Sequence, residues 1–279
     1  LGVAVSHDQS RFATGGMDKI IKVWDMQTFS RQGTLAGHEE AVSIVLFGKD
    51  ENQLVSAGTE NVIKIWNLRT FEIQESLKSH ADSILTIRLL KDQTKIISTS
   101  RDKKIKVWHL ETYKPLKTMT NNSPCQCLAL HPTEEQFITV SEDQHVKIWD
   151  LVGQIEDYFL IDDLWYDAEF WTDPRFLLGA GRGKKISMWD IASKTLVREW
   201  KCEDHVKNLI ITNHSIIASL RDGTLRVFDE KHEFLPIKLH ERSVHCMRIT
   251  GDGQKLISSG GDNTVKLWSI PNKFENSLE

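Results

Sequence analysis

Histidine, hydroxyl, acid and tryptophan recur in register along this chain. His38, Ser56 and Glu60 lead to Trp66; His80, Ser98 and Asp102 lead to Trp108; His240, Ser258 and Asp262 lead to Trp268. Serine, histidine and carboxylate are the parts of a hydrolase triad, in which the imidazole takes the serine proton and the carboxylate orients the ring. Catalysis needs one such set at one cleft, and several copies in one chain argue for another use. No Gly-x-Ser-x-Gly elbow lifts a serine onto a strained turn. Each serine instead lies inside an apolar, β-branched run, where its hydroxyl is expected to be buried. A buried imidazole and a buried indole N–H both need hydrogen-bond partners, and these residues are of the types that supply them.

The elements that carry these residues repeat. Ile-Lys-Val-Trp ends at Trp24, Ile-Lys-Ile-Trp at Trp66, Ile-Lys-Val-Trp at Trp108 and Val-Lys-Ile-Trp at Trp149. Ile-Ser-Met-Trp at Trp189, Leu-Arg-Val-Phe at Phe228 and Val-Lys-Leu-Trp at Trp268 complete seven copies, spaced by 42, 42, 41, 40, 39 and 40 residues. A fixed period of this size means one supersecondary unit copied along the chain. Short β-branched runs between turn residues, without a 3.6-residue period, make each unit a small sheet. In the second copy the expected strands are 41–47, 53–57, 62–66 and 71–77, with apolar residues on both faces. One such sheet cannot bury both faces, so neighbours stack, and a closed ring of seven removes most exposed edges.

With Trp24-Asp25, Trp149-Asp150, Trp189-Asp190 and the Gly37-His38 pair, degraded to Ser79-His80 and Leu239-His240, the chain resembles the WD-repeat family of β-propellers over nearly its whole length. The resemblance implies an all-β fold, a seven-bladed β-propeller of four-stranded antiparallel blades. Blade limits are expected near 1–35, 38–77, 80–119, 121–161, 162–201, 204–239 and 240–279. It also implies a structural network in each full blade, from acid to histidine, histidine to hydroxyl, and hydroxyl to indole. Blade one keeps Thr14, Asp18 and Trp24. Blade four has Asn121 in the histidine place beside Thr139, Asp143 and Trp149. Blade five has Gly179 and Gly183 where hydroxyl and acid belong. Blade six has Cys202, Ala218, Asp222 and Phe228 in the four places, so blades four to six are expected to be less rigidly wired.

Other residues capable of chemistry have plainer readings. The cations two before each aromatic (Lys22, Lys64, Lys106, Lys147, Arg226, Lys266) recur in every blade but the fifth, as a structural feature does, and are read as snorkelling between blades. Cys125 and Cys127 lie at period 2 on an innermost strand, so both thiols are expected to face one way, as core residues. Without a second cysteine pair they are no metal site. His240, His245 and Cys246 are too irregular for zinc, and no Gly-rich phosphate loop is present. No cofactor, metal or small-molecule substrate is expected. Residues 54–69 resemble the box with which some WD-repeat proteins dock on a cullin ubiquitin-ligase adaptor, with Asn67 where that box wants an acid.

In a propeller, the side chains before the turn acid and those at the start of each innermost strand meet at one mouth of the central channel. Blades one to four offer mostly small or apolar residues there. Blades five to seven offer Tyr166, Arg182, His205, Lys207, Arg221 and His245, with Arg101 across the channel. Guanidinium forks beside an aromatic suit an acidic or phosphorylated peptide, unless Asp162, Asp163 and Asp167 neutralise them. Gly183, in the turn of blade five, is expected to let a partner backbone approach.

Among 279 residues, 35 basic and 39 acidic side chains give a net charge of −4, against a nucleic-acid binder. No apolar run is long enough to span a membrane as a helix. No secretory signal is visible, and four cysteines are too few for a disulfide scaffold. An intracellular, non-enzymatic scaffold for protein or peptide partners is the expectation, with a cullin-ligase substrate receptor as the alternative. A first residue of Leu rather than Met suggests part of a longer chain.

Overall fold

The computed structural model describes residues 2–270 except 79, 134–135, 213–214, 230–233 and 235. Every regular element among them is a strand; none is a helix long and apolar enough to cross a membrane. The strands form seven sheets in chain order, each a simple antiparallel meander. Six sheets have four strands. The seventh has three among the described residues, Val244–Ile249, Lys255–Gly260 and Val265–Ser269. The fourth strand expected there, near residues 274–279, lies outside the described residues, as do Leu1 and Ser79.

Blade two shows the pattern, with strands Val42–Phe47, Gln53–Gly58, Val62–Asn67 and Glu72–Lys78. Its last strand starts one residue later than the sequence suggests. Phe71 takes a left-handed φ of 58° and its N–H donates to the Asn67 carbonyl, which places it in the turn. In blades two to six the middle strands are largely buried on both faces, and the clusters they form lie between neighbouring blades. Trp66 and Leu54, for example, pack with Val23 and Leu35 of blade one. Burial of aliphatic faces on both sides of every blade is what holds the ring.

The hydroxyl networks lie inside these layers. In blade three the Trp108 indole N–H donates to Ser98 Oγ at 2.9 Å, and Ser98 meets His80 Nε2 at 2.8 Å. His80 Nδ1 lies 2.9 Å from Asp102, which also accepts from the backbone N–H groups of Ala81 and Lys104. With the serine oxygen taken by the indole, the serine proton goes to Nε2, so Nδ1 carries the ring proton and donates to the carboxylate. Blade seven repeats the chain through Trp268, Ser258, His240 and Asp262, and blade two through Trp66, Ser56, His38 and Glu60. In blades one and four only the first link remains, Trp24 to Thr14 at 3.0 Å and Trp149 to Thr139 at 2.8 Å. Asn121 turns its amide to Ser141 and the Ser123 carbonyl. The expected snorkelling of the stem cations takes two forms. Lys106, Arg226 and Lys266 lie over the rings of Trp108, Phe228 and Trp268. Lys64 and Lys266 donate to the carbonyls of Gly37 and Leu239.

One expectation fails because of strand register. The innermost strand of blade four, Cys125–Leu130, has a β-bulge between Cys125 and Cys127. A bulge breaks the period of two, so the thiols diverge: Cys125 packs toward blade three and Cys127 toward blade five. Of the two glycines of blade five, Gly179 is buried in the interior and Gly183 is exposed in its turn. A Cβ on Gly179 would lie 1.9 Å from the Trp165 ring, and one on Gly183 would lie 2.6 Å from the Asp163 carboxylate. Trp165 thus fills the place of the network, and the Trp189 indole nitrogen is left without a hydrogen-bond partner.

Candidate binding face at the channel mouth

The bulge seen in blade four recurs near the start of the innermost strand in blades two to seven. Its effect is to push one side chain per blade toward the axis: Ser43, Leu85, Gln126, Tyr166, Lys207 and His245. All six line a cavity of about 380 Å³, together with Gly2 of blade one. They are the residues the sequence register places at the mouth, and the bulge is the device that turns them inward.

A second ring lies outside the first. In each blade from two to seven, the backbone N–H before the turn acid, or its equivalent, donates to the carbonyl that precedes the innermost strand. Arg101 is tied to Ser83 in this way, Arg182 to Leu164 and Arg221 to His205. The residue following the acid position takes a left-handed φ in most blades, for example 64° at Lys103 and 56° at Lys184. These tight turns present Arg101, Arg182 and Arg221 as exposed side chains on a rigid frame.

Inner and outer rings meet most closely in blades five and six. Lys207 Nζ lies 4.2 Å from the centre of the Tyr166 ring, a cation–π contact between adjacent blades. Burial lowers the Lys207 pKa, the Arg221 charge adds to this, and Asp204 opposes it. Arg221 stands 3.8 Å from Asp204, and Arg182 and Arg101 form no ion pair among the described residues. His245 is likewise held below the ordinary histidine range by burial, with the Lys207 charge acting in the same direction. His205 lies beside Arg221 through the backbone bond but does not line the cavity.

The three carboxylates expected to neutralise this sector are occupied elsewhere. Asp162 pairs with Lys185 at 2.8 Å. Asp163 is buried, and burial raises its pKa while the Gly183 and Leu164 N–H groups bond to it. Asp167 turns into the channel, where it meets Arg88 at 3.3 Å and accepts from the Leu209 N–H at 2.9 Å.

That last contact belongs to a group the sequence reading missed. Arg88 of blade three reaches across the channel to Asp167 and Glu169 of blade five, and Arg248 of blade seven lines the same space. A signal was present. Arg88, Glu169 and Arg248 each stand fourth after the first residue of their strands, Ile84–Leu89, Trp165–Phe170 and Val244–Ile249. Leu46, Ala129 and Ile210 hold the same place in blades two, four and six. Residues 54–69 run mostly through the buried second and third strands of blade two, so the docking box is largely spent on the core. Among the described residues no three His, Cys, Asp or Glu side chains gather as a metal site.

The family description "WD domain, G-beta repeat" matches residues 1–25, 29–67, 71–109, 113–150 and 234–269. The unmatched stretch covers blade five and most of blade six, where the network residues are replaced. Among curated proteins the chain is similar to human Cilia- and flagella-associated protein 52, at 21% identity over 158 residues, 54% of this chain and 26% of that protein. It is 26% identical to Drosophila melanogaster Protein groucho over 161 residues, 52% of this chain and 22% of that one. Yeast U3 small nucleolar RNA-associated protein 12 is 32% identical over 111 residues, 38% of this chain and 12% of that one. The matched stretch thus spans about a quarter or less of each relative.

Proposed function

The chain belongs to the WD-repeat family of β-propellers, and from that membership we propose that it is a non-enzymatic platform whose channel mouth grips an acidic or phosphorylated peptide. The binding sector is that of blades five to seven: Tyr166, Arg182, His205, Lys207, Arg221 and His245, with Arg101 across the channel. The observation that carries this reading is the pairing of Lys207 with the Tyr166 ring at 4.2 Å beside Arg221, in a sector where Asp162, Asp163 and Asp167 are otherwise engaged. A stacked cation is held in place before binding, which lowers the ordering cost of capturing a carboxylate or phosphate. Arg182 and Arg221 on tight turns add fork-shaped donors. No cofactor or metal enters this reading. One relative carries RNA in its name; the net charge of −4 favours a protein ligand here.

A peptide array of acidic, phosphoserine and neutral sequences, with an RNA oligonucleotide as an added arm, tests the proposal. Wild-type protein should retain acidic or phosphorylated peptides, more weakly as salt rises, because exposed charges are screened over roughly 10 Å at 0.1 M. Arg182→Glu with Arg221→Glu should abolish that binding and leave the melting temperature near wild type, since neither side chain belongs to a hydroxyl network. Binding retained with stability lost would return both arginines to a structural role. Preference for the oligonucleotide would replace the peptide reading with a nucleic-acid one.

A further inference from the structure

The channel also holds a second cavity of about 530 Å³, which shares Leu46, Ile87, Arg88 and Arg248 with the first. Its walls are apolar, formed by Leu46, Leu89, Phe170, Trp171, Ile210 and Ile249 at the far ends of the innermost strands. Its base is charged, formed by Arg88, Glu169 and Arg248. These charges are not evenly matched. Arg88 is shared between Asp167 at 3.3 Å and Glu169 at 3.4 Å. Asp167 is saturated by further bonds from the N–H groups of Ala168 and Leu209. Arg248 donates from Nη1 to the Met247 carbonyl at 2.7 Å and forms no ion pair among the described residues, although its charge acts on Glu169. Arg248, an exposed residue, therefore has guanidinium donors to spare where it lines this pocket.

We propose that this second cavity is a binding site for a carboxylate carried on an apolar stem, with the carboxylate held by the Arg248 guanidinium and the stem lying against Phe170 and Trp171. A cation is excluded because both guanidiniums face the space, and a fully apolar ligand would leave Arg248 desolvated without a partner. The cavity volume is within the range of small-molecule sites. Burial pushes the Glu169 carboxyl up to about 7, with Asp167 adding to the rise and the Arg88 and Arg248 charges opposing it.

A guest carboxylate beside Glu169 would raise its proton affinity further, so binding takes up protons and strengthens as pH falls from 8 to 6. The ionisable groups around Glu169 are Arg88 on blade three, Asp167 on its own strand, Arg248 on blade seven and the thiol of Cys127, while Cys246 acts on Arg88. His131 of blade four also lies near, its ring centre 4.9 Å from that of Phe170. The Glu169→Gln variant separates its contribution from the others.

Two sources carry this chemistry, a free medium-chain acid and the C-terminal residue of a peptide. Calorimetric titration with octanoate, octanol, and a short Leu-ending peptide with free or amidated C-terminus tests the site and distinguishes them. Octanoate, the free-acid peptide or both should bind, at least tenfold more tightly than octanol or the amidated peptide. Arg248→Gln should weaken binding at least tenfold, Arg248→Lys less so, and Glu169→Gln should flatten the pH 6 to 8 dependence. Arg182→Glu with Arg221→Glu should leave octanoate binding unchanged, since those residues do not line this cavity. Equal binding of octanoate and octanol, or none of either carboxylate at millimolar concentration, would overturn the proposal, and that comparison needs no variant to fold.

Discussion

The hydroxyl chains make single side chains worth different amounts in different blades. Asp102 accepts from His80 Nδ1 and from two backbone N–H groups, with its own side chain nearly buried. Asp222, in the equivalent turn of blade six, accepts only from the backbone and hydroxyl of Thr224. Asp102→Ala should therefore cost about 1–3 kcal/mol, the range for a buried polar group left without its partner, and Asp222→Ala clearly less. Chemical denaturation midpoints measure both, and equal losses would refute the network argument. The same residues set an acid response. Burial holds the His80 pKa below its ordinary value against the pull of Asp102, so the unfolded chain takes up the proton first as pH falls. Stability contributed by the neutral ring is present above about pH 6.5 and is lost below it. The lowered Asp102 carboxyl adds a second loss below about pH 4. His80→Asn should reduce the first loss.

At the scale of one element, blade five shows a strand rebuilt around one large residue. The first residue of the innermost strand is Val, Ile or Cys in most other blades and Trp165 here. Its indole occupies the space where the hydroxyl of the network would project, and Gly179 is the complementary subtraction. Gly179→Ser would offer the orphaned Trp189 indole a partner, yet its Cβ has no room. We expect a loss of about 1–3 kcal/mol from overpacking, with part of it recovered when Trp165→Val is added. A Gly179→Ser protein as stable as wild type would show that Trp165 is free to move aside. The bulged innermost strands matter in the same way, because each pairs one extra residue against none and so aims it at the axis.

Across the whole molecule, the ring is closed unevenly. Between blades seven and one the described residues form a small cluster, Val3, Phe12, Met26, Cys246 and Ile257, where other junctions bury more. The innermost strand of blade one, Val3–Val5, has three residues, against six in the other blades. Sub-global opening begins where apolar contact is least dense. Hydrogen exchange should show the amides of Val3–Val5 among the least protected of the innermost strands. Earlier exchange in blade four or five would place the weak point at the missing networks instead.

A period near forty, β-branched runs and the recurring His, Ser, Asp and Trp determined the blades, their order and the hydroxyl chains, because these depend on local ladders that a short stretch of sequence encodes. The same register brought out Tyr166 and Lys207, which meet at the channel mouth. Three features needed the tertiary structure. The bulge that parts Cys125 from Cys127 changes strand register without changing composition. The carboxylates of Asp162, Asp163 and Asp167 chose Lys185, backbone N–H groups and Arg88, and sequence proximity to the rim arginines did not decide that choice. Arg88 meets Asp167 from 79 residues away. Strands far apart in sequence face one another only after the ring closes, and closure brings residues of equal register together across the axis. That geometry placed two guanidiniums and two carboxylates in one channel.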